Sequence, residues 1–118
     1  MLIPEVIENL DEFRATDREE CGVLIAKGER YKSAKIIRCQ NVAVSDGDYA
    51  VSMDDYLRVQ GMVEGTKYRA IGFFHTHLAK HHPSPSKMDV EGASIFPEFI
   101  NCVYHPASGK TAWYGTNL

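Results

Sequence analysis

The run YRAIGFFHTH, residues 68 to 77, sets the tightest limit on what this chain can fold into. Its apolar, aromatic-rich part has the composition of a β-strand, and it ends on His75 and His77. Side chains alternate along an extended chain, so the two imidazoles project to one side and Thr76 to the other. The fold must therefore contain a sheet that delivers two potential metal ligands at the end of one strand.

The remaining segments supply partners for that strand. Ile3, Val6, Ile7, Leu10 and Phe13 recur at helical spacing, with Pro4 suited to a first turn, and predict an N-terminal helix. CGVLIAKG reads as a buried strand stopped by Gly28. RYKSAKIIRCQNVAV reads as one long or bent strand, and SDGD as a turn. YAVSM predicts a further strand. A helix opened or capped by Asp54 then runs through Leu57, Val59, Met62 and Val63 to Gly65. After the histidines, Ser86 is placed as an N-cap with Asp89 three residues on, for a short helix through Val90, Ala93 and Ile95. FINCVYH and TAWYG, joined by PASGK, predict a hairpin. With 118 residues, the expectation is one domain over 1–118, of α/β class, with a mixed sheet and about three helices.

Charge and composition narrow the function. A net charge of −3 with no block of Lys or Arg longer than two residues argues against nucleic-acid binding, which needs a concentrated basic face. No apolar run approaches the ~20 residues of a membrane span, and the acidic start MLIPEVIENLDEF lacks the pattern of an export signal. Cys21, Cys39 and Cys102 are odd in number and widely spaced, which favours free buried thiols and a cytoplasmic location.

Four of the five histidines fall between residues 75 and 82. The bland reading makes them polar loop residues at a sheet edge, with Asp89 merely favouring its helix terminus. The alternative joins His75, His77 and Asp89, the last carried back over the strand end by the Pro83–Pro85 loop. Two nitrogens, one carboxylate oxygen and one open position form the ligand set of a catalytic zinc. A hydrolytic zinc also needs a base, and Glu19 and Glu20 stand directly before the CGVLIAKG strand. Alternation sends them to opposite sides, so only one can face the metal strand. No G-x-S-x-G elbow supports a serine hydrolase, and the H-x-E and P-C-x-x-C signatures of a zinc deaminase are absent.

Glu-x-Cys-Gly before a buried strand, followed by His-x-His, Ser and Asp, resembles the JAMM (JAB/MPN-plus) zinc metallopeptidases, in a small prokaryotic or phage-type form. DYAVSMDDYLRVQ is similar to the family's strand-to-helix step, and the likeness runs from the first helix to the final hairpin. The resemblance implies a JAB/MPN-like domain with His75, His77 and Asp89 as zinc ligands and water as the fourth. It also implies Glu19 as general base and Ser86 as donor to the oxyanion, although Ser86 could equally serve only as a helix cap. The implied reaction is hydrolysis of a peptide or isopeptide bond. The implied partner is a protein or peptide substrate, such as a ubiquitin-like or sulfur-carrier tail ending in Gly-Gly. A non-catalytic binding scaffold and a phage or cell-wall peptidase are the other readings. Two departures bear on the loop: Leu78 stands where the family usually has Pro, and eight residues separate His77 from Ser86, one more than usual. His81 and His82 lie in that loop and read as exposed polar residues; His105 reads as structural.

Overall fold

A computed structural model describes residues 2–45, 47–116 and 118. Its frame is a six-stranded mixed sheet. The strands are β1 (Val6–Ile7), β2 (Cys21–Lys27), β3 (Ser33–Cys39), β4 (Tyr68–Thr76), β5 (Ile100–His105) and β6 (Lys110–Tyr114), in the order β1-β3-β2-β4-β5-β6. β1 runs parallel to β3, and β4 parallel to β5; the other pairs are antiparallel. The histidine strand, β4, lies inside the sheet between β2 and β5. Among the described residues two α-helices complete the α/β fold: α1 (Met53–Val63), between β3 and β4, and α2 (Lys87–Ala93), in the crossover from β4 to β5. Among the described residues no helix is long and apolar enough to cross a membrane.

The two sheet faces carry separate clusters. Leu24, Ile36, Ile71, Phe74, Ile100 and Cys102 pack with Phe13 from the N-terminal segment. Cys21, Val23, Ile25 and Cys39 pack under Val59 and Val63 of α1. Val103 and Tyr114 pack under Ala93 of α2. The three cysteines are free and buried, as expected.

A register shift falls where Leu24 pairs with Gly72 but Ile25 with Ala70, leaving Ile71 as the extra residue of a bulge. The bulge changes the phase of alternation. Ile71 and Phe74 therefore share one face, while Ala70 and Phe73 serve the other. Beyond it, Phe73 and His75 project on the helix-covered side.

The N-terminal helix expected over Ile3–Phe13 does not form. Val6 and Ile7 instead pair with Ser33 and Ala34, and a 3-10 turn spans Leu10–Glu12. The open edge of β3 wins over helical periodicity: Glu5 N–H donates to the Lys32 carbonyl and Glu8 N–H to that of Ala34. Asn9 then continues the pairing through its side chain, donating to the Ile36 carbonyl and accepting from Ile36 N–H, both at 2.8 Å. Such local mimicry by an Asn amide competes directly with helix hydrogen bonding.

YAVSM is also corrected: it is an irregular segment with a single bridge, Asn41 to Val51. Ser52, rather than Asp54, caps α1, and its hydroxyl accepts from Asp55 N–H. At the expected SDGD turn, Asp48 N–H donates to the Ser45 carbonyl, while Asp46 lies outside the described residues.

Gly72 allows β5 to approach β4, since a Cβ there would sit 1.9 Å from the Ile100 carbonyl oxygen. Alanine in a strand ordinarily gains about 0.5–1 kcal/mol over glycine, but here the backbone clash dominates. Gly72→Ala should lower stability in urea unfolding by about 2 kcal/mol. Unchanged or increased stability would show that β4 and β5 are not held at this separation.

Candidate metal centre

The antiparallel register of β2 on β4 builds the site. Cys21 pairs with His75, so one residue further Glu20 meets Thr76, and Glu19 falls beside His77. Thr76 N–H donates to the Glu20 carbonyl, and Glu20 N–H donates to the Thr76 hydroxyl at 2.8 Å. This clasp locks the entry of β2 to the end of β4. His77 extends the ladder on the other side by donating its N–H to the Tyr104 carbonyl. Glu19, His75 and His77 are all buried and share one side. Glu20 turns to the other, where it pairs with Arg38 and accepts from Ala15 N–H.

Asp89 arrives from α2. Ser86 caps this helix, accepting from Asp89 N–H through its hydroxyl, while the Asp89 carboxylate accepts from Ser86 N–H at 2.8 Å. This reciprocal capping box holds the carboxylate over the strand end. The same oxygen, Oδ2, lies 3.0 Å from His77 Nε2 and 3.3 Å from His75 Nε2. One ligand atom from each of the three residues fits within a 4.8 Å cluster.

The donor set fits a cation. His77 Nδ1 lies 2.7 Å from the His82 carbonyl; a carbonyl only accepts, so Nδ1 carries the proton. In neutral His77 the Nε2 lone pair then faces the Asp89 carboxylate, an arrangement that needs a positive charge between them. Neither ring nitrogen of His75 makes a hydrogen bond among the described residues, although both are buried. A metal ligated at His75 Nε2 would satisfy one of these orphaned atoms, and the His82 carbonyl is the kind of outer partner that orients a metal-binding histidine.

Electrostatics agree with this geometry. Burial holds the pKa of His75 below its ordinary value, leaving it neutral. Burial also opposes charge on His77, but the Asp89 carboxylate and the His82 carbonyl outweigh it and raise the pKa. A proton on His77 is thereby favoured in the metal-free protein. Burial disfavours the Asp89 anion too, yet the two imidazoles and Ser86 N–H hold its carboxyl well below the usual range. Burial pushes Glu19 up to about 8, with His77 opposing and Asp89 and Asp48 adding to the rise.

The surrounding loops supply features that the sequence did not announce. His81 approaches Glu19, with Nδ1 3.9 Å from Oε2, and so lines the cleft. His82 is exposed as expected, but its main-chain carbonyl orients His77. The base of the enlarged loop is fixed: Leu78 is buried, Ala79 N–H donates to the Thr16 carbonyl, and His105 Nε2 donates to the Ala79 carbonyl at 3.3 Å. His105 is structural in this sense. Tyr49 stacks on His75 with ring centroids 4.0 Å apart. Asn41 holds the segment bearing Tyr49, donating to the carbonyls of Glu19 and Asp48 and accepting from Ala43 and Ala50 N–H. A cleft of about 630 Å³, lined by Glu19, His77, His81, Ser86 and Asp89 among others, opens over the cluster.

The profile of the family described as prokaryotic homologs of the JAB domain matches residues 10–113, and the chain belongs to that family. The His75, His77 and Asp89 group within it is compatible with a JAMM-type hydrolase. A solution structure from Desulfitobacterium hafniense shares the fold with a TM-score of 0.71 at 18% identity, covering 94% of this chain and 81% of that one. Another, from Salinibacter ruber, has a TM-score of 0.56 at 17% identity, with 94% and 80% covered. No curated protein is similar enough to match.

Two outcomes follow for the metal-free state. Zinc must displace any Nε2 proton on His77, whose pKa the Asp89 carboxylate and the His82 carbonyl raise, so zinc affinity should fall as pH drops through the imidazole range and binding should release protons. Calorimetry in buffers of different ionisation enthalpy measures both; pH-independent binding without proton release would contradict this ligand set. Glu19 is a carboxyl whose folded pKa is raised from 4.5 to about 8, so the folded state binds the proton more tightly than the unfolded state. Its burden on stability is absent below the unfolded pKa, grows as pH rises between the two values and is constant above the folded one. With zinc chelated, Glu19→Gln should therefore raise Tm more at pH 8 than at pH 5. An equal change at both pH values would show that Glu19 is not desolvated.

Proposed function

We propose that this protein is a zinc-dependent metallopeptidase that hydrolyses a peptide or isopeptide bond. The observation that carries the reading is the convergence of two buried imidazoles and a helix-fixed carboxylate beside a desolvated glutamate. His75, His77 and Asp89 would hold the zinc. When bound there, the metal supplies Lewis acidity that polarises a carbonyl and brings the pKa of water towards ~7.

The chain's own groups divide the remaining work. Glu19, whose pKa burial lifts to about 8 without a metal, would in its carboxylate form accept a proton from the attacking water and return it to the departing amine. The His82 carbonyl holds His77 in the tautomer that presents Nε2. Ser86 accepts from Asp89 N–H, which uses a lone pair and leaves its own O–H free to donate. Capping and stabilising an oxyanion are therefore compatible tasks for one hydroxyl. The substrate class proposed is a protein or peptide, including tails that end in Gly-Gly.

The test is to incubate the zinc-loaded protein with peptides and Gly-Gly conjugates and to look for newly formed amines by mass spectrometry. Glu19→Gln should retain zinc and lose at least about 100-fold in rate, whereas Glu20→Gln should retain both. Absence of hydrolysis across the substrates would favour a binding scaffold, and indifference to both substitutions would remove the glutamate mechanism. Ser86→Ala should cut turnover by roughly 100-fold and stability by about 1 kcal/mol. Loss of stability alone would reduce Ser86 to a cap.

A further inference from the structure

A second cavity, of about 350 Å³, lies against the metal centre. Asp48, Met88 and Asp89 line both this cavity and the metal cleft, so the two spaces meet at the residue that would ligate zinc. The character of the second space is different. Phe73 forms part of its wall, with Phe96 at 5.1 Å edge-on to it and Tyr56 at 5.8 Å. Met53, Met88 and Ile95 stand around it at 64%, 67% and 73% exposure. Large apolar side chains left in water beside a polar cleft are a feature of ligand-binding surfaces.

Apart from Asp48 and Asp89 at the junction, a buried amide interrupts this lining. Asn101 is buried at 3% exposure, and its side-chain nitrogen has no hydrogen-bond partner among the described residues. Leaving a buried donor unsatisfied is unfavourable, so the position favours a ligand that brings an acceptor. A peptide meets both demands, offering an apolar side chain and a main-chain carbonyl.

We infer that this cavity is a side-chain subsite for a peptide carrying a large apolar residue, aromatic or branched, near the scissile bond. The inference rests on the metallopeptidase reading and deepens it. Two glycines have no side chain to fill such a space, so a Gly-Gly-ended substrate would reach it with a residue beyond the glycines or on the amine side. Continuity at Asp89 brings the main chain of that residue towards the metal, and the Asn101 amide gives its carbonyl a donor.

The test uses binding, so that its failure is distinct from failure to hydrolyse. N-acetylphenylalanine amide and N-acetylglycine amide are titrated into the protein and followed by NMR. The phenylalanine compound should shift the Asn101 side-chain amide and the Met53 and Met88 methyl signals; the glycine compound should not. Gly92 also lines the cavity, and a Cβ added there meets nothing within 4 Å. Gly92→Leu should therefore fill the space while improving helix propensity, and weaken binding by about tenfold or more, as expected for losing one aromatic burial. Ile95→Glu, at an exposed rim position, provides a second blocking variant. Equal shifts with both compounds, no shifts, or binding that survives both substitutions would overturn the subsite. Absence of hydrolysis in the preceding assay would instead overturn the metallopeptidase reading.

Discussion

At the end of β4, His75 Nε2 and His77 Nε2 face the same carboxylate oxygen of Asp89, at 3.3 and 3.0 Å, in a setting largely removed from water. Neutral imidazole lone pairs and a carboxylate repel one another unless a positive charge stands between them. A proton on His77 is favoured in the metal-free protein, and a divalent cation would serve better because it can engage all three groups. Much of the surrounding architecture acts to keep these groups together: the Glu20–Thr76 clasp, the capping box of α2, the His82 carbonyl and the stacked Tyr49 ring.

Assembling these groups opposes stability. Glu19 is buried, and the opposing effect of His77 does not offset that burial, so its pKa climbs to about 8. His75 makes no hydrogen bond through either ring nitrogen among the described residues, although Nε2 lies 3.3 Å from Asp89, and the Asn101 amide nitrogen likewise has none. Buried polar atoms without hydrogen bonds at the metal centre and beside the neighbouring cavity are better explained by ligands than by folding alone. The apolar clusters on both sheet faces supply the compensating burial, and the bulge at Ile71 lets one strand serve both faces while presenting His75 on the helix side.

Much of this was legible in the sequence because its signals were local. Strand alternation correctly separated Glu19 from Glu20, and Ser86 with Asp89 gave the capping box that the structure contains. The α/β class followed from the order of elements, and the JAB-like domain was implied by the family resemblance. Misreadings arose where distant pairing decided the outcome. The periodicity of Ile3 through Phe13 was helical, yet the free edge of β3 and the Asn9 amide drew that segment into the sheet. YAVSM had strand composition, but it makes a single bridge, Asn41 to Val51, and Ala50 N–H donates to the Asn41 side chain instead of a strand partner. His81 gave no local cue to its place beside Glu19, since only loop closure sets it there. Asn101 did carry a readable signal: a lone amide in the otherwise apolar strand FINCVYH, on the face of Phe73 with which it pairs.

X-ray absorption at the zinc edge of the zinc-loaded protein tests the central claim most directly, because it reads the ligand atoms themselves. The account predicts one zinc with two imidazole nitrogens at about 2.0–2.1 Å and oxygen donors completing a four-coordinate shell, with one imidazole lost in His77→Ala. A sulfur shell near about 2.3 Å, an unchanged spectrum in His77→Ala, or a protein that takes up no zinc would contradict it.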